Sequence, residues 1–204
     1  MSKTYKIAHF GAYGTNIGDT VALDNVRIQV SKYIEQDIEW VPINVIGFLE
    51  CKNNKNYILK TFKERLKGCS ALFIGGGGLL EGGPFNDSYT AWKLPFNDEI
   101  FEELKLEIPI YVIGAGINYF RTVAGFTEKG VKGLVSLINN SRVFSLRNDG
   151  SIDSAKQILS PSVLGKIVEV PDPGLIYDYE YPRMTIKEVN SKEKVLQPAF
   201  NGGQ

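Results

Sequence analysis

Short, almost purely apolar runs alternate along the chain with longer stretches in which apolar residues recur every three or four positions. Continuous apolar runs are typical of strands buried in a parallel sheet, and the three-to-four spacing is typical of helices. In the first helical stretch, for example, Ala22, Val26, Val30 and Tyr33 fall on one face. Strands are predicted over residues 5–10, 37–45, 70–78, 108–118, 142–147 and 163–175.

Helices are predicted between these strands, over residues 21–33, 57–66, 97–106, 128–138 and 148–159. The alternating order, with right-handed crossovers, predicts an α/β fold with a doubly wound parallel sheet of the Rossmann-like type over residues 1–177. From residue 178 the sequence becomes charged and weakly periodic. We interpret residues 178–204 as a linker and the start of a second domain that is truncated or missing.

Composition narrows the class of protein. Lys plus Arg and Asp plus Glu both total 23, and this neutrality argues against bulk binding to nucleic acid or to an anionic membrane. The widely spaced Cys51 and Cys69 predict free thiols in a reducing compartment, with no zinc site. Neither a signal-peptide pattern nor an apolar run of about 20 residues is present, so we predict a cytoplasmic protein without a membrane span.

Glycine-rich and polar sequences lie at the carboxyl ends of five of the predicted strands: GAYGTNIGD, GGGGLLEGG, GAGIN, RND and PDPGL. In open parallel sheets, ligands bind beyond the carboxyl ends of the strands, so these loops predict a ligand crevice. The first loop matches neither the dinucleotide fingerprint nor the Walker A pattern. The glycines proposed to let the backbone approach a ligand are Gly14, Gly18, Gly76, Gly77 and Gly78.

Both glycine-rich loops also have plain structural explanations. The first can be a tight turn, with a ligand contact and a turn equally favoured. Four consecutive glycines at 75–78 can serve close packing of a strand against a helix, although we favour a ligand contact. Among nearby acids, Asp19 is a catalytic candidate and equally an N-cap, and Glu81 is a binding candidate and equally a solvated surface residue.

Among the other polar side chains, Arg147 suits a carboxylate or phosphate, because its planar fork can bind either in a bidentate manner. The alternative for Arg147 is an ion pair with Asp149 or Asp153. His9, the only histidine, is interpreted as a hydrogen-bonded core residue rather than a catalytic one. Asp172 is interpreted as a turn residue that helps to shape the crevice.

Five segments in order, GAYGTNIGDTVAL, LFIGGGGLLEGG, PIYVIGAGIN, FSLRNDGS and VPDPGL, resemble the polysaccharide pyruvyl transferase family and cover residues 7 to about 176. The resemblance implies two Rossmann-like domains facing each other as in the GT-B arrangement, with this chain as the N-terminal half. It implies a transferase of exopolysaccharide biosynthesis that moves pyruvate from phosphoenolpyruvate onto a sugar as a ketal. The donor is a substrate, and no cofactor or metal is implied.

Residue roles follow from that chemistry, which needs cations for the donor, a general acid and a general base. Arg147 is the candidate for the anion contacts and Asp19 for activation of a hydroxyl. Asn16, Glu81 and Asn118 are candidates for binding sugar hydroxyls. The implied partner is a saccharide or lipid-linked saccharide acceptor, and the sequence is compatible with a homo-oligomer.

Two departures from the family stand out. Asn118 and Tyr119 occupy positions where many members read Gly-Pro, and the resemblance implies that the members' second domain would begin near the end of this chain. Little activity is therefore expected from the 204 residues alone. Two other functions stay open: a nucleotide-sugar-dependent glycosyltransferase of the GT-B type, which shares the fold plan, and a non-catalytic module that binds sugars or anions.

Overall fold

A computed structural model describes residues 4–14, 16–34, 36–118 and 125–176. The described residues form a six-stranded sheet in which every neighbouring pair of strands is parallel. The strands are β1 (Tyr5–Gly11), β2 (Ile38–Asn44), β3 (Ala71–Leu80), β4 (Ile110–Ile117), β5 (Val143–Arg147) and β6 (Ile167–Val170).

Within the described residues, seven helices connect these strands, and two short 3-10 helices lie at Gly83–Phe85 and Pro173–Leu175. The helices are α1 (Ile17–Tyr33), α2 (Val45–Glu50), α3 (Lys55–Arg65), α4 (Asp98–Leu104), α5 (Glu128–Asn140), α6 (Ser151–Ile158) and α7 (Pro161–Leu164).

The strand order is β2-β1-β3-β4-β5-β6, so the chain first moves outward from β1 to β2 and then returns past β1 to β3. This reversal makes the gap between β1 and β3 the topological switch point of the sheet, where ligands bind in such folds. The predicted α/β class with a doubly wound, Rossmann-like parallel sheet is confirmed.

Helices cover both faces of the sheet, and alternate residues of β1 show the division. Ala8 and Phe10 belong to a large apolar core shared with residues of α2 to α6. Ile7 points to the opposite face, where it packs with Val26 of α1 and with residues of β3 in a smaller core. Helix α1 therefore lies on the face opposite to α2–α6, where it packs against β3 and against the 3-10 helix at Pro173–Leu175.

Several element boundaries differ from the predicted ones. Helix α1 begins one turn earlier than residue 21, because Asn16 caps it. Helix α2 was not predicted, and it begins where Asn44 accepts a hydrogen bond from the Ile46 N–H. The last strand covers only Ile167–Val170, because proline begins the short helix before it and two prolines follow it.

The strand order explains why β2 tolerates a proline. Pro42 pairs in register with His9 inside β2, and the strand continues to Asn44. Strand β2 is an edge strand, which needs ladder hydrogen bonds on one side only. The predicted linker and second-domain start at 178–204 lies outside the described residues, so the GT-B arrangement stays a prediction.

Candidate functional site

The start of α1 is fixed by a reciprocal pair of side chains. Asn16 accepts a hydrogen bond from the Asp19 N–H at 2.8 Å, and its amide donates to the Asp19 carboxylate at 2.6 Å. Asn16 is thus the N-cap, and Asp19 is the third residue of the helix. The interpretation of Asp19 as an N-cap is wrong, since Asn16 already fills that position.

Helix α1 contacts β3 closely because β3 has glycine at the crossing. A Cβ on Gly76 would lie 2.8 Å from Leu23 Cα and 2.9 Å from Leu23 N, both backbone atoms of α1. One residue further along, a Cβ on Gly77 would overlap the Asp19 carboxylate. The close crossing therefore brings the first turn of α1, with Asp19, against the carboxyl end of β3.

Asn118 occupies the next position along the same carboxyl edge of the sheet. Its backbone N–H donates to Leu80 O at 2.9 Å, and its side-chain amide donates to Gly78 O at 2.9 Å. A Cβ on Gly78 would overlap that amide. Protein packing alone therefore accounts for glycine at 75–78, since a Cβ on Gly75 would also meet β4. A backbone contact between these glycines and a ligand stays a prediction.

Glu81 is not a solvated surface residue, as one interpretation of the sequence held. Its side chain is 8% exposed and accepts a hydrogen bond from the Lys93 ammonium at 3.2 Å. The same ammonium lies 3.4 Å from Gly78 O, the carbonyl that Asn118 also binds. Lys93 was missed from the sequence, although a lysine inside the otherwise apolar run AWKLPF was a usable signal.

Arg147, at the end of β5, is held by two carboxylates. Its Nε donates to Asp149 at 2.5 Å, and its Nη1 lies 3.3 Å from the Asp172 carboxylate. Asp153, the other predicted partner, instead pairs with Lys156. The guanidinium lies over Gly116 of β4, where a Cβ would overlap it. The arginine thereby joins the ends of β4, β5 and β6.

Asp149 and Asp172 also organise the backbone around the guanidinium. Asp149 accepts hydrogen bonds from the N–H and the hydroxyl of Ser151, and the Ser151 Oγ accepts the Ile117 N–H at 2.8 Å. Asp172 accepts the Gly174 N–H at 2.8 Å, which confirms its predicted role in a turn. This network fixes the direction of the guanidinium at the sheet edge.

The first loop is tied to the sheet by His9, Tyr13, Arg27 and Trp40. His9 is fully buried, and its Nδ1 accepts a hydrogen bond from Arg27 Nε at 3.1 Å, so its Nε2 carries the proton and faces Gly75 O at 3.3 Å. Arg27 also donates to the Tyr13 hydroxyl, which donates to His9 O at 3.0 Å. The Arg27 guanidinium lies 4.9 Å from the centre of the Tyr13 ring and 5.7 Å from that of Trp40. The interpretation of His9 as a hydrogen-bonded core residue is confirmed.

Burial and the adjacent Arg27 guanidinium lower the pKa of His9 from 6.5 to about 3. His9 is therefore protonated below about pH 6.5 in the unfolded chain but only below about pH 3 in the folded chain. The free energy of unfolding decreases as the pH falls between these two values. From pH 6.5 to pH 5 we expect His9 to cost the fold about 2 kcal/mol. Denaturant unfolding at several pH values measures this loss.

The matched variant for that measurement is His9→Gln. It removes the only imidazole in the chain, so its stability should vary less with pH between 5 and 6.5 than that of the wild type. Equal pH dependence of the two proteins over that interval would show that His9 is not held neutral in the folded state.

The structure brings most of the predicted site residues into one row. Asp19 faces Gly77, and Asn118 binds Gly78. The Lys93 ammonium binds both Gly78 O and the Glu81 carboxylate. Arg147 lies over Gly116. Gly14 belongs to the exposed loop before this row, and Gly18 is an exposed residue in the first turn of α1. Gly14 has a φ of 71°, which favours glycine in a turn, and no described atom lies within 4 Å of the position of its missing Cβ. A contact between Gly14 and a ligand stays a prediction.

Two general features bear on the class of site. In the part of the chain that the structure describes, no cluster of three or more histidine, cysteine or acidic residues is arranged to hold a metal ion. Within the same residues, no helix combines the length and apolar character that a membrane crossing needs. The site consists of amides, carboxylates, one guanidinium and one ammonium at the carboxyl edge of the sheet.

A family model described as polysaccharide pyruvyl transferase matches residues 16–201. The matched range contains Asn16, Asp19, the end of β3, Asn118 and Arg147. No match was found among curated proteins, and none among solved structures.

Proposed function

Because the chain belongs to the polysaccharide pyruvyl transferase family, we propose that it transfers pyruvate from phosphoenolpyruvate to a saccharide and releases phosphate. The match over residues 16–201 carries this proposal. The row from Asp19 to Arg147 supports it, because the row presents hydrogen-bonding and charged groups at the edge where doubly wound sheets bind ligands.

The proposed reaction balances as a ketal synthesis. The methylene carbon of phosphoenolpyruvate takes up one proton and becomes a methyl group. The adjacent carbon forms bonds to two saccharide oxygens, and its bond to the phosphate oxygen breaks. The two hydroxyls release two protons. One proton offsets the proton that the methylene carbon takes up, and the other leaves with phosphate. One general acid and one general base are therefore needed.

The residues of the row have separate proposed roles. Arg147 binds an anionic group of the donor through guanidinium N–H groups that Asp149 and Asp172 do not engage. Asp19 accepts the proton of an attacking hydroxyl, and the hydrogen bond from Asn16 fixes the direction of its carboxylate. Asn118 binds saccharide hydroxyls through the part of its amide that Gly78 O does not engage. Gly14 in the first loop and Gly18 in the first turn of α1 let the backbone approach the same ligand.

The acceptor proposed for this reaction is a free or lipid-linked saccharide met in the cytoplasm. It has to offer two hydroxyls close enough for one carbon to bridge them, since a ketal carbon bonds to two oxygens. A saccharide with one hydroxyl of the pair blocked is therefore a control acceptor that should not react.

Phosphate release is the experiment that tests the proposed function. The full-length protein that contains this chain, with the second domain that the family resemblance implies, is incubated with phosphoenolpyruvate and a panel of saccharides, and phosphate is measured against the same mixtures without acceptor. We expect phosphate only when a reactive acceptor is present, with a mass increase of the saccharide that corresponds to one pyruvyl group. Parallel reactions with nucleotide sugars test the glycosyltransferase alternative. Sugar transfer from those donors, with phosphoenolpyruvate inert, would contradict the proposal.

A further inference from the structure

Lys93 and Glu81 form a nearly buried ion pair that the proposed reaction has not yet used. The Lys93 side chain is 17% exposed and that of Glu81 is 8% exposed. Burying such a pair removes two charges from water, and the attraction between them often does no more than offset that cost. Stability is therefore a weak explanation for a lysine at this position.

The segment around Lys93 holds its side chain in a defined place. The neighbours Trp92 and Leu94 are fully buried, and the Trp92 indole donates to Phe96 O at 2.8 Å. The Lys93 N–H donates to Glu81 O at 2.8 Å, so Glu81 binds this residue through both its backbone and its carboxylate. The ammonium is thus positioned before any ligand arrives.

The Lys93 ammonium lies at the row of site residues that runs from Asp19 to Arg147. It lies 3.4 Å from Gly78 O, next to the amide of Asn118, and Gly77 beside it faces Asp19. An ammonium has three N–H donors, and Glu81 and Gly78 engage two of them. Among the described residues no third oxygen or nitrogen acceptor binds it, and the centre of the Phe85 ring lies 5.9 Å from the ammonium. The third donor is therefore available to a ligand.

The two cations at this edge, Arg147 and Lys93, point to the kind of ligand, although each of them is also paired with a carboxylate. Phosphoenolpyruvate carries a phosphate and a carboxylate, whereas Arg147 is one cation shared with two carboxylates. A second cation at the same edge supplies the contact that the second anionic group needs. Lys93 is that cation in the described part of the row.

We propose that Lys93 is a second binding residue for the anionic donor and that Glu81 is the positioning residue that holds its ammonium at Gly78. This inference rests on the proposed function and adds to it a residue and a role. It also gives Glu81 a role other than the contact with sugar hydroxyls that the sequence suggested.

Titration of the full-length protein with phosphoenolpyruvate tests the proposal, and inorganic phosphate serves as a second probe. Lys93→Gln should raise the dissociation constant for phosphoenolpyruvate about tenfold or more. The matched control is Lys132→Gln, which removes a lysine from an exposed ion pair on α5 and should leave the constant unchanged. A parallel loss of phosphate affinity would place the contact on the phosphate group, and a loss for phosphoenolpyruvate alone on the carboxylate; both support the proposal.

A second variant distinguishes weakened ligand binding from a loss of folding. Lys93→Gln leaves the Glu81 carboxylate buried without its partner, so the double variant with Glu81→Gln removes both charges together. It should melt close to the wild-type temperature without ligand and still show the weakened binding. Thermal melts without ligand are recorded for every variant.

Two results would overturn the inference, and they can be told apart. If the wild type binds phosphoenolpyruvate and the double variant binds it equally well, the pair is only structural and the proposed function is untouched. If the wild type does not bind phosphoenolpyruvate at all, both the proposed function and the role of Lys93 fall.

Discussion

Arg147→Gln is expected to lower kcat/KM for phosphoenolpyruvate on the order of 100-fold, about 2.7 kcal/mol. The variant keeps a hydrogen-bonding side chain but removes the positive charge and the planar fork that suit a carboxylate or phosphate. Since Asp149 and Asp172 remain, the vacated position becomes repulsive to an anion as well as empty. Initial rates over a range of donor concentrations measure the effect.

Strand β5 itself supplies the control for this prediction. Arg142→Gln removes an exposed arginine just before the opposite end of the strand, and it should leave kcat/KM unchanged. Arg147→Lys retains the charge without the fork and should fall between the wild type and Arg147→Gln. If Arg147→Gln and Arg142→Gln gave the same kcat/KM, Arg147 would have no part in binding the donor.

Gly76→Ala is expected to destabilise the fold by about 3 kcal/mol or more. The new Cβ would meet the backbone of α1 at 2.8 Å, and a backbone cannot move aside as a flexible side chain can. The φ of 82° adds strain for any residue with a Cβ. For a domain of this size the melting temperature should fall by roughly 6–12 °C.

Gly68→Ala separates the two causes. Gly68 has a nearly equal φ of 75°, but nothing lies within 4 Å of the position of its missing Cβ. Gly68→Ala should therefore lower the free energy of unfolding only through backbone strain, by roughly 1–2 kcal/mol. Equal losses in the two variants would mean that α1 does not press against β3 as described, and Asp19 would lose the contact that places it in the site.

The sequence was sufficient for the class of the fold and for the edge that carries the site. Buried parallel strands read as continuous apolar runs, and runs such as Ala71–Ile74 show this directly. The polar loops after them then had to share one edge, since parallel strands end on the same side. These two inferences rely on local patterns, and local patterns are visible in one sequence.

Features set by distant contacts were harder to predict. Asp172 reaches Arg147 from 25 positions further along the chain, and no local pattern marks that pairing. The glycines at 75–78 suggested a ligand contact, which stays a prediction, but the sequence did not show that β4, α1 and Asn118 also require glycine there. The start of α1 was placed late because the apolar spacing begins after the cap, while the Asn16–Asp19 pair fixes the true start.

The fate of a labelled donor tests the central claim most directly. Phosphoenolpyruvate labelled with ¹³C at the carbon that carries the phosphate is incubated with the protein and a reactive saccharide, and the product is examined by NMR. Pyruvyl transfer predicts that the label appears in a carbon bonded to a methyl group, a carboxylate and two saccharide oxygens. Label recovered as free pyruvate, or in an enol ether that keeps its methylene group, would contradict the account.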